Sequence, residues 1–246
     1  MKCEKYPEGV NIVFSEKSDG NMAYYAGKGT ENTWKKRKLF FEACNVDMSQ
    51  SVFLKQIHSD HVVVIQSNDV GKGSQNHESA CVDADAMVTN IENVVLCIQV
   101  ADCVPVLLFD RKNGAIGAIH SGWRGTLKNI VGKTVRHMKH IYKTKASDMY
   151  AWVGPSLRGC CFFVDEKISQ PVRESGFLGL SRDGLQWDIA EACRGQLIQS
   201  GVTENHIVFS DECTSCGALK YFSYRREGES AGRMIAGIWK TKEEKR

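Results

Sequence analysis

The feature that most restricts the fold is an apolar block at residues 94–109, Val-Val-Leu-Cys-Ile-Gln-Val-Ala-Asp-Cys-Val-Pro-Val-Leu-Leu-Phe. Apolar residues fill nearly every position rather than alternate ones, the pattern of a buried strand. Arg111-Lys-Asn-Gly114 closes the block as a turn. Gln99 and Asp102 interrupt it, and it is shorter than the roughly 20 residues of a membrane-spanning helix, so no membrane segment is read. Asp102 and Cys103 stand at the break and divide the block into two strands, 94–100 and 104–109.

Around this block the chain alternates between strand and helix patterns. Residues 52–57 and 62–65 are β-rich, with a polar connection at Ser59-Asp60, so His58 falls at a strand end. A polar, Gly-containing loop at 71–78 precedes a short strand at 85–89. Residues 115–120 form another strand, and Gly122-Trp-Arg-Gly-Thr126 reads as a turn before one helix. On that helix Leu127, Ile130, Val131, Val135, Met138 and Ile141 recur at helical spacing. A strand at 149–153 completes a β-α-β unit. Asp188 and Glu191 have capping-box spacing at the start of a helix that ends at Gly201, and a strand follows at 207–209. Residues 221–226 and 233–239 read as a terminal hairpin. The expected fold class is α/β (α+β), a layered mixed sheet with helices outside. With four prolines and no low-complexity tract, no domain boundary is read.

Charge narrows the function classes. Lys+Arg number 32 and Asp+Glu 29, a net +3 without a long basic block, which argues against a dedicated nucleic-acid binder. The charged N-terminal residues show no export signal, so a cytoplasmic location is expected and the ten cysteines are read as reduced thiols. Cys213-Thr-Ser-Cys216 is the only C-x-x-C, and no second such pair or His pair follows it, so it reads as mainly structural. Adjacent Cys160 and Cys161 point opposite ways if the backbone there is extended, so at least one reads as a packed apolar residue.

His58, Cys103 and His120 each lie at the end or interruption of an apolar strand. Their wide spacing requires a site assembled from several strands, and three protein ligands leave one metal position open for water or substrate. Imidazole and thiolate favour zinc or copper over magnesium or calcium. The competing reading is chance, since seven histidines and ten cysteines place some trio near strand ends. His137 and His140, one helical turn apart among lysines, read as a solvated helix face.

Several blocks, in order, resemble a known family. They are Gln56-Ile-His58, Asp85-Ala-Met-Val-Thr89, Ala101-Asp-Cys-Val-Pro-Val106 and His120-Ser-Gly-Trp-Arg-Gly-Thr126. Val153-Gly-Pro-Ser156 with Cys160-Cys161, Asp188 with Arg194-Gly-Gln-Leu197, Cys213-Thr-Ser-Cys216, Phe222-Ser-Tyr-Arg-Arg226 and Gly232-Arg-Met234 follow. The resemblance, over about residues 10–239, is to the multicopper-oxidase-like laccase-domain family, also called the purine nucleoside phosphorylase or peptidoglycan editing factor family. It implies one domain over 1–246, an internal strand-helix-strand duplication, and a surface zinc held by His58, Cys103 and His120. It also implies phosphorolysis of adenosine, inosine and methylthioadenosine, and deamination of adenosine. The partners implied are a purine nucleoside and phosphate, with the enzyme a monomer. Ser121 and Ser59 depart from the family's usual Ala and Gly beside the ligands, which bears on substrate preference more than on metal binding.

Zinc on these ligands would bring a bound water toward a pKa of about 7 and hold Cys103 as thiolate. Deamination then proceeds by attack at C6 of the purine, while phosphorolysis needs a phosphate cradle near C1′ of the ribose. Arg124, at a helix start, is the first candidate for that cradle, and Arg225 and Arg226 are weaker ones. The bland reading of Arg124 is a surface ion pair. Asp102 is expected to orient water or a ligand histidine, or else to cap a turn. Gln56 and Asp85 resemble family positions near the site or satisfy backbone groups, and Trp123 stacks on a base or packs in the core. A copper polyphenol oxidase is disfavoured by seven histidines with no His-x-His pair. Other readings are a peptidoglycan-precursor amide hydrolase with Cys103 as nucleophile and His120 as base, and a metal-binding module without turnover.

Overall fold

The computed structural model describes residues 2–5, 9–217 and 219–241. The first sheet contains β1 (Lys2–Lys5), β2 (Val10–Phe14), β3 (Ser51–Lys55), β5 (Cys81–Asp83), β7 (Val95–Val100) and β12 (Met234–Lys240), in the order β1-β2-β12-β7-β3-β5. The second contains β4 (Val62–Val64), β6 (Ala86–Thr89), β8 (Val104–Asp110), β9 (Ile116–Ser121), β10 (Met149–Val153) and β11 (Ile207–Phe209), in the order β11-β10-β8-β9-β6-β4. The sheets echo one another. Three successive antiparallel pairings end in a parallel one, β7 with β3 in the first and β6 with β4 in the second.

The apolar runs follow from burial on both sides. Leu96, Ile98, Leu107, Phe109, Ile116, Ala118, Ala236 and Ile238 meet in one cluster between the sheets. On the outer face of the first sheet, Val13, Val95, Cys97, Ile235 and Trp239 pack against Phe40 and Phe41 of α1 (Thr33–Glu42). On the outer face of the second, Val104, Val106, Leu108 and Ile119 share a cluster with residues of α3 (Ile130–Tyr142), α4 (Glu166–Ser175) and α5 (Ile189–Gln199). Alternate residues of one strand thus enter different cores, and neither face tolerates a polar run. The result is a mixed α/β architecture of helix, sheet, sheet and helix layers, as the sequence pattern anticipates. Among the described residues no helix is long and apolar enough to cross a membrane.

Three expectations need correction. The single helix after His120 is two, α2 (Trp123–Leu127) and α3, separated by Asn129 at φ 59°. Asn129 Oδ1 accepts from the Gly132 N–H at 3.0 Å and caps α3, so periodicity continued across a break made by local capping. The expected terminal hairpin loses its first arm. Ser223 accepts from the Arg226 N–H and caps α6 (Tyr224–Glu227), so only β12 is a strand there. At Asp188 the side chain caps α5 through the Glu191 N–H, while Glu191 faces Arg194 instead of closing a box.

Several connections cross between the sheets, and two of them carry candidate ligands. The chain leaves β3 in the first sheet and enters β4 in the second through residues 56–61, and it leaves β7 for β8 through residues 101–103. Asp102 turns the second crossing at φ 90°, a conformation an L-residue adopts only when its surroundings hold it. From the α3 break, Asn129→Ala is expected to cost about 1–2 kcal/mol, by loss of the cap and by a left-handed residue without a short polar side chain. Asn129→Gly is expected to cost only a few tenths of a kcal/mol. Urea unfolding monitored by far-UV circular dichroism checks both.

Candidate metal centre

His58, Cys103 and His120 come together where the sheets join. One ligand atom from each lies within 4.8 Å of the others. His58 and Cys103 sit on the two crossings, and His120 sits near the end of β9. Cys103 Sγ is 3.8 Å from His58 Nε2, and the two imidazole rings are edge-to-face with centroids 4.8 Å apart. For bonds of about 2.3 Å to sulfur and 2.05 Å to nitrogen, a tetrahedral site has a sulfur–nitrogen edge of about 3.6 Å, so the donor set fits a zinc-sized ion. His58 is exposed, Cys103 half-buried and His120 buried, so the site opens to solvent on the His58 side.

Asp85 lies behind the ligands and organises them. It is buried, and its Oδ1 accepts from the His58 N–H at 3.0 Å and pairs with His120 Nδ1 at 2.8 Å. Its Oδ2 accepts from the backbone N–H groups of Ile57 at 3.3 Å and Ser59 at 2.5 Å, and from the Ser59 hydroxyl at 2.7 Å. One carboxylate therefore shapes the left-handed turn at His58, φ 58°, and fixes the His120 ring with Nε2 free to face the site. Burial alone would raise the Asp85 pKa, but the His120 and Ser59 donors outweigh it and bring the carboxyl down to about 2. Burial likewise opposes ionisation of Cys103, yet His120 and then His58 bring its thiol down to about 6. Burial would lower His120, but the Cys103 thiolate and Asp85 raise it.

Gly122 completes the fit. A Cβ there would lie 2.9 Å from His58 Cδ2 and 3.2 Å from Cys103 Sγ. At Gly125 a Cβ would lie 2.8 Å from the Ser59 carbonyl oxygen, so both glycines of the Gly-Trp-Arg-Gly run let α2 close on the ligand loop. Sequence reading saw these glycines only as turn residues, and nothing local in the sequence marks what they approach.

The remaining candidate residues divide. Asp102 does not face the ligands with a free oxygen. Its Oδ1 accepts from the Thr214 hydroxyl at 2.6 Å and its Oδ2 from the Arg225 N–H at 2.6 Å, so it ties two distant loops to the Cys103 crossing. The orienting role expected for it next to a ligand histidine is filled by Asp85. The Gln56 amide pairs with the Gln99 backbone, accepting at 2.7 Å and donating at 2.8 Å, and so prolongs the β3–β7 ladder. Ser59 and Ser121 are both engaged, Ser59 with Asp85 and Ser121 with Thr126 Oγ1 at 2.7 Å. Arg124 is exposed, with its guanidinium 4.3 Å from the Trp123 ring centroid, and Trp123 packs partly on the core. Arg225 is exposed near the Phe162 ring, whereas the Arg226 guanidinium is engaged with the Thr214, Ser215 and Tyr221 carbonyls.

Fold and donor set together define a class, and comparison with known proteins identifies it. Residues 12–241 match the family described as multi-copper polyphenol oxidoreductase laccase, and the chain belongs to that family. Among its relatives, the purine nucleoside phosphorylase YlmD of Geobacillus stearothermophilus is 31% identical, the match covering 91% of this chain and 84% of that protein. A purine nucleoside phosphorylase of Bacteroides thetaiotaomicron is 32% identical over 90% of this chain and 86% of its own. The adenosine deaminase RL5, from an unknown prokaryotic organism, is 29% identical over 96% of both chains. The crystal structure of the Geobacillus protein superposes with a TM-score of 0.90 at 28% identity, over 98% of this chain and 97% of that one. The chain is thus related to named enzymes of purine nucleosides along nearly its whole length.

From the Asp85 network, Asp85→Asn is expected to weaken zinc binding by about 10- to 100-fold, because the amide turns a donor toward groups that already donate. Competition with a chromophoric chelator measures this, and unchanged affinity would remove Asp85 from the centre.

Proposed function

We propose that the protein is a zinc-dependent purine nucleoside phosphorylase acting on adenosine, inosine and methylthioadenosine, with adenosine deaminase activity. The observation that carries the reading is the His58, Cys103 and His120 set braced by Asp85, in a chain with relatives named for both activities. In this reading His58, Cys103 and His120 hold the ion, and the enzyme works as a cytoplasmic monomer of one domain on small molecules. A zinc ion held there supplies Lewis acidity that favours deprotonation of water near neutral pH and stabilises developing negative charge.

The chain's own residues supply the rest. Asp85 keeps His120 in one tautomer and one orientation, so the ligand field does not reorganise during the reaction. Cys103, partly covered and beside two imidazoles, stays thiolate in the working pH range. For phosphorolysis, the exposed guanidinium of Arg124, on the helix next to Gly122, is the first candidate to receive phosphate, and Arg225 is the second. Stacked on Trp123, Arg124 is held with less freedom than a lone surface arginine. Asp102 acts by position, holding the Cys103 crossing against the loops at 214 and 225.

One specific observation favours a second reading. Cys103, His120 and Asp85 are linked in series, the order of a nucleophile, its base and the group that orients the base. That arrangement suits an amide hydrolase, with a peptidoglycan precursor as one substrate. Copper oxidation is the weaker alternative, since one three-ligand site does not hold several coppers.

Chromatography of products from adenosine, with and without phosphate, tests the proposal. Adenine and ribose-1-phosphate are expected only with phosphate, and inosine without it. His58→Ala, Cys103→Ala and His120→Ala are each expected to lower turnover by about 100-fold or more, roughly 2.7 kcal/mol of transition-state stabilisation, while far-UV circular dichroism is retained. A chelator should abolish turnover and zinc restore it. Full nucleoside turnover in the metal-free triple variant would sink the proposal, and amide hydrolysis that survives chelation would establish the thiol reading in its place.

A further inference from the structure

Outside the centre described above, the described residues bring a second group of soft ligands together. The sulfurs of Cys160, Cys161, Cys213 and Cys216 all lie within 4.8 Å of one another. The sequence suggested otherwise, because Cys213-Thr-Ser-Cys216 has no second C-x-x-C after it and because adjacent cysteines diverge from an extended strand. Cys161 does pack partly on the core as that reading expects, but neither argument keeps the four sulfurs apart. The second pair precedes the first, and Cys160 and Cys161 lie in a turn, where neighbouring side chains can converge. The turn is closed by the Cys161 N–H donating to the Arg158 carbonyl at 2.9 Å.

We propose that Cys160, Cys161, Cys213 and Cys216 form a second, closed zinc site with a structural role. Two sulfur separations are 3.8 Å for Cys160–Cys161 and 3.6 Å for Cys160–Cys216. Four thiolates around one zinc at about 2.3 Å lie at tetrahedron edges of about 3.8 Å, so these distances fit a single ion shared by all four. They are too long for a disulfide, which needs about 2.05 Å, and a cluster of several irons would need room for sulfide between the thiolates.

The surrounding backbone is arranged as a ligand loop. The Gly217 N–H donates to the Cys213 carbonyl at 2.9 Å, which closes a tight turn through the C-x-x-C. Four thiolates and one Zn²⁺ leave two negative charges, and arginines border the loop. Arg226 donates to the Thr214 and Ser215 carbonyls at 2.9 and 2.8 Å, and Arg158 donates to the Ser210 carbonyl at 2.6 Å.

The site has a consequence for the first centre. Thr214, between Cys213 and Cys216, donates its hydroxyl to Asp102, and Asp102 precedes Cys103. An ion that fixes the 213–216 loop against the 160–161 turn also fixes the group holding the Cys103 crossing. A structural zinc would thus brace the open centre without touching its ligands. The two sites share no ligand, so this inference does not rest on the nucleoside reading.

Elemental analysis of the purified full chain, loaded with zinc and dialysed, tests it. Two zinc per chain are expected in the wild type, one in Cys103→Ala, one in Cys216→Ser, and none in the double variant. If the Cys216 variant does not fold, cobalt loading of Cys103→Ala still decides. Its spectrum should show the intense sulfur-to-cobalt charge transfer of four thiolates, which one-thiolate ligation cannot give. One zinc in the wild type with none in Cys103→Ala would overturn the proposal. So would iron in the four-cysteine site, or a Cys160–Cys216 disulfide found by mass spectrometry after alkylation of freshly purified protein. Failure of nucleoside turnover alone, with two zinc still counted, would count against the enzyme reading and leave this site standing.

Discussion

The buried Asp85 carboxylate is the interaction on which the rest of the centre depends. It sits where the chain leaves the first sheet for the second, accepts from three successive backbone N–H groups at residues 57–59, and pairs with His120 on β9. A buried charge is costly unless it is fully hydrogen-bonded, and here every bond it makes also positions a ligand or the turn that carries one. The strained backbone at His58 is held by the same group, so geometry and electrostatics have one origin.

The sheet pair explains why the ligands meet at all. The central strands bury both faces, one between the sheets and one beneath helices, so connections between the sheets are confined to the rim. His58 and Cys103 lie on two such crossings and His120 near the end of the strand beside them. Asp102, which interrupts the apolar block, therefore marks a topological event, whereas Gln99 stays within β7. The positive φ of Asp102 turns the chain and its carboxylate anchors the loops at 214 and 225.

The laccase name of the family and the nucleoside names of its members describe different chemistries, and the donor set bears on the choice. Two imidazoles and one thiolate with an exposed side suit a single ion that keeps a position for water or substrate. They do not suit several coppers handling several electrons. Ser59 and Ser121, the two polar departures beside the ligands, are taken up by Asp85 and Thr126, so neither alters the polarity offered to a substrate.

Much of this was legible in the sequence. The unbroken apolar runs required strands buried on both faces, and most strand positions, from 52 to 153, followed from period and turn residues. His58, Cys103 and His120 were visible as soft donors at strand ends, because a polar residue at the edge of an apolar run has few structural reasons to be there. Other features depended on the tertiary structure, because they rest on partners distant in the chain. Asp85 acquired its role from His120, and the Gln56 amide found its partner in the Gln99 backbone, neither of which lies near it in sequence. The helix break at Asn129 and the short helix at residues 224–227 were decided by side-chain caps that outweigh periodicity. The four cysteines show the same division: their identity and number were in the sequence, but only folding brought a turn at 160–161 against a turn at 213–216, since no local pattern records which distant loops a sheet will bring together.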